Sequence, residues 1–136
     1  MSYDYLATPY THENKAIMDL RYECANHAAG NIMKDTKRGV FSPISHFHNI
    51  RGHGYLKQWT LGDFLDFDRA ILDHADKLLV LTLDGWYESP GVNGEIVFAV
   101  THEPQPIPVY YIEPKDYVPK YPLTYLTEAE KKYVSV

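Results

Sequence analysis

The sequence predicts an α/β fold in which a mainly parallel sheet is covered by helices on both faces. Short apolar segments typical of strands alternate along the chain with segments of helical periodicity. One segment, residues 77–83, is almost continuously apolar, which is typical of a central parallel strand buried on both faces. The length of 136 residues fits a single domain spanning residues 1–136.

Four segments are predicted to form strands. They are residues 3–8, 39–42, 77–83 and 107–112, and prolines follow the first two at once. After the last of them, from about residue 113, the chain is rich in proline and tyrosine. We interpret this part as a C-terminal extension that contains a short helix over residues 127–133.

Three helices are predicted between the strands. Apolar residues recur at steps of three and four over residues 13–35, 61–72 and 92–100, as expected for helices with one buried face. The segment 44–58 is polar, rich in histidine and interrupted by glycine, and we expect it to be a long loop.

Composition and charge exclude several functional classes. A hydrophobic content of 45% excludes a disordered chain, and a net charge of −5 argues against binding to a nucleic-acid polymer. The single cysteine, Cys24, cannot form an internal disulfide, which favours a reducing compartment. No apolar segment is long enough to span a bilayer, and the N-terminus lacks a basic signal region. We therefore expect a cytoplasmic protein with no membrane partner.

Two carboxylates are predicted to lie on the buried faces of helices. Asp68 occupies the centre of the apolar stripe of the second helix, and Glu95 adjoins the stripe of the third. A buried carboxylate is costly unless it is paired, hydrogen bonded or functional. Two carboxylates beside a sugar can cleave a glycosidic bond. Alternatively, Glu95 is an ordinary first-turn acid that interacts with the helix dipole.

The segment 89–94 opens the third helix and is a candidate anion site. The hydroxyl of Ser89 and the backbone N–H groups from Gly91 onward could hold a phosphate. The same residues also fit a plain helix start, with Ser89 as the N-cap and Pro90 at the first helical position. Both interpretations can hold together.

Histidines and aromatic residues of the predicted loops are further candidates. His46, His48 and His53 match the spacing of zinc ligands poorly, so we expect no metal and interpret them as donors to a phosphate or sugar, or as surface residues. Trp59 and Trp86 could stack on a base or pack within loops. For Tyr5, strand alternation leaves open whether the side chain faces the core or a cleft.

The chain resembles the nucleoside 2-deoxyribosyltransferase superfamily over about residues 3–112. The resemblance rests on the segment 5–10, Tyr-Leu-Ala-Thr-Pro-Tyr, on Ser42-Pro43, on Asp68 and Asp76, and on Ser89-x-Gly91-Val92-x-x-Glu95. The last element is most similar to the 2'-deoxynucleoside 5'-phosphate N-hydrolase branch. The whole chain resembles a small bacterial and phage branch.

This resemblance implies a fold and a set of roles. The fold would be a flavodoxin-like or Rossmann-like three-layer sandwich with a five-stranded sheet. Glu95 would be the nucleophile, Asp68 would assist at the base and sugar, Tyr5 would position the nucleophile, and Ser89 would bind a phosphate. Sites in this superfamily are commonly completed by a neighbouring subunit.

The resemblance also indicates which reaction to expect. Transferases of the superfamily typically have Asp where Ser89 stands, so the sequence favours an N-glycosidase acting on a (deoxy)nucleoside 5'-monophosphate. The alternatives are a nucleoside deoxyribosyltransferase and a non-catalytic nucleotide-sensing module. We expect no metal or other cofactor. The remaining candidates for substrate binding are Thr8, Ser42, His46, Trp59 and Gly91.

We predict that the chain is a dimer or a higher homo-oligomer, with part of its site supplied by a second subunit. Tyrosines near and beyond the last predicted strand offer more aromatic surface than a lone domain needs to expose; they are Tyr110, Tyr111, Tyr117, Tyr121 and Tyr125. Light scattering at micromolar concentration should give a mass of at least two chains. A mass of one chain would contradict the prediction.

Overall fold

The computed structural model describes residues 2–119, which form a parallel sheet with helices on both faces. The strands are β1 (Tyr3–Ala7), β2 (Gly39–Phe41), β3 (Lys77–Leu81) and β4 (Val109–Ile112). The helices are α1 (Lys15–Thr36), α2 (Pro43–Gly52), α3 (Leu61–Leu72), α4 (Pro90–Val100) and the short α5 (Pro114–Tyr117). A single 3₁₀ turn, Trp86–Glu88, precedes α4.

The sheet has the strand order β2-β1-β3-β4, and all its pairs are parallel. Strand β1 is central: Tyr5 lies opposite Phe41 of β2 on one side and Leu78 of β3 on the other. The chain crosses from β1 to β2 in one direction and then from β2 past β1 to β3. The strand order therefore changes direction between β1 and β3, as in doubly wound folds.

The predicted α/β class and the parallel sheet are confirmed, but the five-stranded sheet is wrong for the described residues. The sheet has four strands in residues 2–119. Between β3 and β4 the chain forms the 3₁₀ turn and α4 without another strand, and after β4 it forms α5. The four strands correspond to the four apolar segments of the sequence. The fifth was implied only by the resemblance.

One face of the sheet is covered by α1. Leu6 of β1 and Leu79 of β3 belong to a buried cluster with Leu20, Cys24 and Ala28, which lie on one side of α1 at the spacing the sequence predicts. Burying this stripe is what stabilises a helix whose other faces are polar.

The opposite face is covered by α3 and α4. Tyr5 of β1 and Val80 of β3 are fully buried in a second cluster with Leu72 of α3 and with Val92 and Ala99 of α4. Successive residues of a strand point to opposite faces, so Tyr5 lies on the α4 side, while its neighbour Leu6 packs against α1. This placement brings the Tyr5 hydroxyl beneath α4.

The first part of the histidine-rich segment, residues 44–52, belongs to helix α2, and the prediction of a loop over residues 44–58 is wrong there. Ser42 caps α2 by accepting a hydrogen bond from the backbone N–H of Ser45 at 3.2 Å, and Pro43 occupies the first turn. Phe47 is buried, and Ser45 donates a hydrogen bond to Asn26 of α1 at 2.5 Å. The contacts with α1 stabilise a helix whose own sequence shows little periodicity.

Ionic contacts join the strands at the amino end of the sheet. Arg38, just before β2, donates hydrogen bonds to both carboxylate oxygens of the buried Asp4 in β1, at 2.8 and 3.0 Å, and also binds Asp76 just before β3. Asp76, one of the residues on which the resemblance rests, therefore lies at the end of the sheet opposite to the cavity described below.

None of the helices in residues 2–119 combines the length and the hydrophobicity that a membrane span requires. The predicted helix over 127–133, together with Tyr121 and Tyr125, lies outside the described residues.

Candidate active site

A cavity of about 640 Å³ opens beyond the carboxyl ends of β1 and β3. Its walls come from the loop after β1, from α2 and α3, and from the start of α4. This is the point where the strand order changes direction, which is where ligands bind in doubly wound sheets. Of the candidate catalytic and binding residues that the sequence singles out, seven line the cavity: Thr8, His48, Trp59, Asp68, Ser89, Gly91 and Glu95.

Glu95 is buried where α4 passes over the sheet. Only 6% of the residue is exposed, and its carboxylate accepts a hydrogen bond from the hydroxyl of Tyr5. The pKa of Glu95 is raised to about 8: burial raises it most, the hydrogen bond from Tyr5 lowers it, and the charge of Asp68 raises it. Tyr5 itself does not line the cavity; its ring lies in the core and its hydroxyl holds Glu95 from below.

Asp68 is the second carboxylate of the cavity. It lies on α3, and its Oδ1 atom is buried without a hydrogen-bond partner in the described part of the chain. Burial raises the pKa of Asp68 to about 7. The hydroxyl oxygen of Thr8 is likewise buried without a partner and also belongs to the lining. Unsatisfied buried polar atoms are rare in native proteins, and in a cavity they are available to a ligand.

The first turn of α4 contributes backbone donors to the same cavity. Ser89 caps the helix, because its side-chain oxygen accepts a hydrogen bond from the N–H of Val92 at 3.2 Å, and Pro90 is the first helical residue. Ser89 and Gly91 both line the cavity. The capping interpretation is therefore confirmed, and the first residues of this helix also line the cavity, where a helix end can bind an anion.

An aromatic wall, formed by Phe47, Trp59 and Phe64, lies on the side of α2 and α3. The ring centres of Phe47 and Phe64 are 5.1 Å apart and their planes nearly perpendicular, and Trp59 lies 5.1 Å from Phe64. All three rings line the cavity and offer a surface on which a flat ring can stack. Trp86, the other tryptophan, instead packs against Tyr87 and Tyr111.

Ser42 and His46 lie outside the cavity lining. Ser42 is buried as the cap of α2, and His46 is exposed and stacks on Phe67, with 5.9 Å between ring centres. Because the segment is helical, its side chains point to different faces, so His48 reaches the cavity while His46 does not. In residues 2–119 no three His, Cys, Asp or Glu side chains converge as metal ligands would.

Tyr10 and Arg51 also line the cavity, although the sequence reasoning did not single them out as binding residues. The guanidinium of Arg51 lies 5.3 Å from the ring centre of Tyr10 and 5.4 Å from that of Phe64. The one sequence signal for this wall is the Ser-Pro pair at 42–43, which marks the start of α2.

A match to one protein family covers most of the chain. A sequence match to the domain of unknown function DUF1937 covers residues 3–111. The chain belongs to the DUF1937 family. The match includes the whole of the sheet except its last residue, and it includes Tyr5, Asp68 and Glu95. A comparison with curated proteins gives no match.

The buried carboxyl group of this DUF1937 chain predicts how its stability depends on pH. Because the pKa of Glu95 rises on folding from an ordinary 4.5 to about 8, the folded state holds a proton that the unfolded state has lost between these values. The free energy of unfolding should therefore fall as the pH rises from about 4.5 to about 8. The raised pKa of Asp68 lowers the free energy of unfolding further as the pH rises to about 7.

Glu95→Gln should remove most of this dependence. The amide cannot ionise, and its oxygen can still accept the hydrogen bond from Tyr5. We expect the variant to melt several degrees above the wild type at pH 8 and near it at pH 5, as measured by calorimetry. Glu23→Gln, at an exposed carboxylate of α1, is the matched control. If the stability of Glu95→Gln and of the wild type depended on pH in the same way, this would contradict a buried Glu95 with a raised pKa.

Proposed function

We propose that the chain is an N-glycosidase that hydrolyses the N-glycosidic bond of a (deoxy)nucleoside 5'-monophosphate, as a relative of the nucleoside 2-deoxyribosyltransferase superfamily. The observation that carries this proposal is the pair of carboxyl groups, Glu95 and Asp68, on one cavity. Neither forms an ion pair in residues 2–119, and Glu95 is held by Tyr5. Retaining glycosidases use two carboxyl groups in this way, one as the nucleophile and one as the acid and base.

The first step forms a glycosyl-enzyme. The Glu95 carboxylate attacks C1' of the sugar, the bond from C1' to the base nitrogen breaks with its electron pair going to the base, and Asp68 donates a proton to the leaving base. Tyr5 binds Oε2 of Glu95. This leaves Oε1 for the attack and fixes the plane of the carboxylate.

The second step releases the sugar phosphate. A water molecule attacks C1', its proton passes to the Asp68 carboxylate, and Glu95 leaves as a carboxylate. Both groups then have the protonation state from which the cycle began. The two steps require no metal or organic cofactor.

The raised pKa of Asp68 suits its role as the proton donor. A carboxyl group with a pKa of about 7, as for Asp68, is an effective proton donor near neutral pH, whereas an exposed aspartate would already have lost its proton. The active form has Glu95 ionised and Asp68 protonated. Because the pKa of Glu95 is the higher of the two, this is the less populated of the two singly protonated forms, and the hydrogen bond from Tyr5 stabilises the ionised Glu95 in it. Burial raises the pKa of both groups, so close to neutral pH they share about one proton.

The rest of the cavity fits the other parts of a nucleotide. The aromatic wall offers a stacking surface for the base. The first turn of α4, with Ser89 and Gly91, offers donors to the 5'-phosphate. The unpartnered hydroxyl of Thr8 and the buried Oδ1 of Asp68 are polar atoms that a ligand would satisfy.

We also propose a cytoplasmic location and a homo-oligomeric state. Cys24 is a buried free thiol, which fits a reducing compartment. Tyr110 and Tyr111 are more than half exposed on the edge strand β4, beside the partly exposed Trp86. Such an aromatic surface is typical of a subunit contact.

Substitution of the two carboxylates should separate their roles. Glu95→Ala should release no base above the uncatalysed rate and should be no less stable to heat than the wild type, because it removes a buried carboxyl. Asp68→Asn should still bind nucleotide and turn it over at least about 100-fold more slowly, because an amide cannot donate the proton. Asp66→Asn, at an exposed carboxylate of α3 outside the cavity, is the matched control.

The assay is chromatography of the free base after incubation with a panel of deoxynucleoside monophosphates, with and without an acceptor base. Near-native activity of Glu95→Ala would overturn the assignment of the nucleophile. Product formation only with an acceptor base would identify a transferase. Binding without release of base from any substrate would leave the nucleotide-sensing alternative.

The anion site predicts a preference for phosphorylated substrates. Monophosphates should be turned over much better than the matching nucleosides, and Ser89→Ala should reduce this ratio by about one to two powers of ten, the effect of losing one donor to a charged group. Ser42→Ala is the matched control, because Ser42 also precedes a proline and caps a helix but lies outside the cavity. Equal turnover of nucleoside and nucleotide would remove the phosphate site and leave the glycosidase.

A further inference from the structure

A chain of polar contacts that the proposed reaction does not use ends at the cavity wall. The hydroxyl of Tyr10 lies 2.7 Å from Nδ1 of His48, and Nε2 of His48 lies 3.4 Å from a carboxylate oxygen of Asp19. Tyr10 and His48 both line the cavity, whereas Asp19 lies behind them on α1. The chain joins the loop after β1, helix α2 and helix α1.

The negative charge of Asp19 indicates which ring nitrogen of His48 carries the proton. A neutral imidazole carries one ring proton, and a lone pair turned toward a carboxylate is repelled, so the proton lies on Nε2, which faces Asp19. Nδ1 is then an acceptor, and Tyr10 must donate its hydroxyl hydrogen to it. The free lone pairs of the Tyr10 oxygen remain to accept a hydrogen bond from another group.

Stacking holds the imidazole of His48 in place, and burial keeps both side chains neutral. The ring of Tyr22 stacks on His48, with ring centres 4.0 Å apart and planes inclined by 19°. Burial lowers the pKa of His48, as do the charges of Lys15 and Arg51, whereas Asp19 and Glu23 act in the opposite direction. Burial also raises the pKa of Tyr10. Both side chains are therefore neutral at pH 7.

We propose that Tyr10 is a specificity residue of the cavity: its phenol oxygen accepts a hydrogen bond from an N–H or O–H group of the bound nucleotide, and His48 and Asp19 hold its own hydrogen away from the ligand. This inference rests on the proposed nucleotide ligand but not on its hydrolysis. Tyr10 adjoins the aromatic wall through Arg51, whose guanidinium lies close to the rings of both Tyr10 and Phe64. The donor therefore belongs to the base or to the sugar beside it.

The test combines removal of the protein acceptor with removal of each ligand donor. The ligands are the most tightly bound of the four common 2'-deoxynucleoside 5'-monophosphates, an analogue whose base lacks its hydrogen-bond donor, and an analogue that lacks the 3'-hydroxyl. Dissociation constants are measured by calorimetry in the Glu95→Gln background, which prevents turnover, with and without Tyr10→Phe. Release of base by the wild-type chain is assayed in parallel.

With Tyr10 present, deletion of one of the two donors should weaken binding on the order of ten-fold, and with Tyr10→Phe the same deletion should have almost no effect. The analogue that shows this coupling identifies the source of the donor. Tyr22→Phe is the matched control: it removes a hydroxyl from the other ring beside His48, one that lies outside the cavity lining and accepts from Asn49. In Tyr22→Phe, deletion of the ligand donor should weaken binding by the same factor as in the chain that retains both tyrosines.

His48→Gln tests the positioning role of His48. A glutamine amide can present either its oxygen or its N–H group to Tyr10, so the orientation of the phenol is no longer fixed and the coupling should shrink. Full coupling in this variant would show that His48 does not orient Tyr10. If deletion of each ligand donor weakens binding by the same factor with Tyr10 as with Tyr10→Phe, the inference is overturned, whether or not base is released.

The two proposals fail separately. If the nucleotides bind with the expected coupling but the wild-type chain releases no base, the hydrolase proposal is wrong and the role of Tyr10 stands. If base is released without coupling, the role of Tyr10 is wrong and the hydrolase stands. If none of the four nucleotides binds, both are wrong.

Discussion

The hydrogen bond between Tyr5 and Glu95 joins the central strand β1 to helix α4, and the chemistry of the cavity depends on it. The ring of Tyr5 is packed in the core beside Leu78 and Val80, so packing of the sheet, and not a flexible side chain, sets the position of its hydroxyl. Glu95 is buried above it and has no cationic partner in residues 2–119. A carboxyl group in such a place keeps its proton to a high pH and is held in one orientation. The first property follows from burial, and the second follows from the hydrogen bond that Tyr5 donates.

The change of strand order between β1 and β3 explains why these groups meet an open cavity. The loops that leave the two strands diverge there, and α4 begins at the resulting opening. Ser89 and Glu95 are six positions apart on this helix, roughly 9 Å along its axis at 1.5 Å per residue. One helix therefore supplies backbone donors at its first turn and a carboxylate further along, and Asp68 of α3 faces the same space.

The fold could be predicted from the sequence where burial imposes a periodic pattern. The four apolar segments became the four strands, and the interruptions of apolar stripes by Asp68 and Glu95 pointed to two buried carboxyl groups. Helix α2 has few buried residues and no clear stripe, so periodicity missed it, although the Ser-Pro pair at 42–43 marks its start in the same way as the pair at 89–90. The contact between Tyr10 and His48 spans 38 positions and exists only because α2 is a helix. No local pattern could have indicated it.

Burial also determines how much negative charge the cavity presents to a ligand. Two ordinary carboxylates at this site would repel a nucleotide phosphate, and the chain has a net charge of −5. Because burial raises the pKa of Asp68 to about 7 and that of Glu95 to about 8, the pair holds about one proton close to neutral pH. The proton that the pair shares, which in the proposed reaction Asp68 would donate to the leaving base, thus also removes about half of this repulsion. An environment that exposed the two groups to water would lose both effects at once, because solvation would return each pKa to its ordinary acidic value.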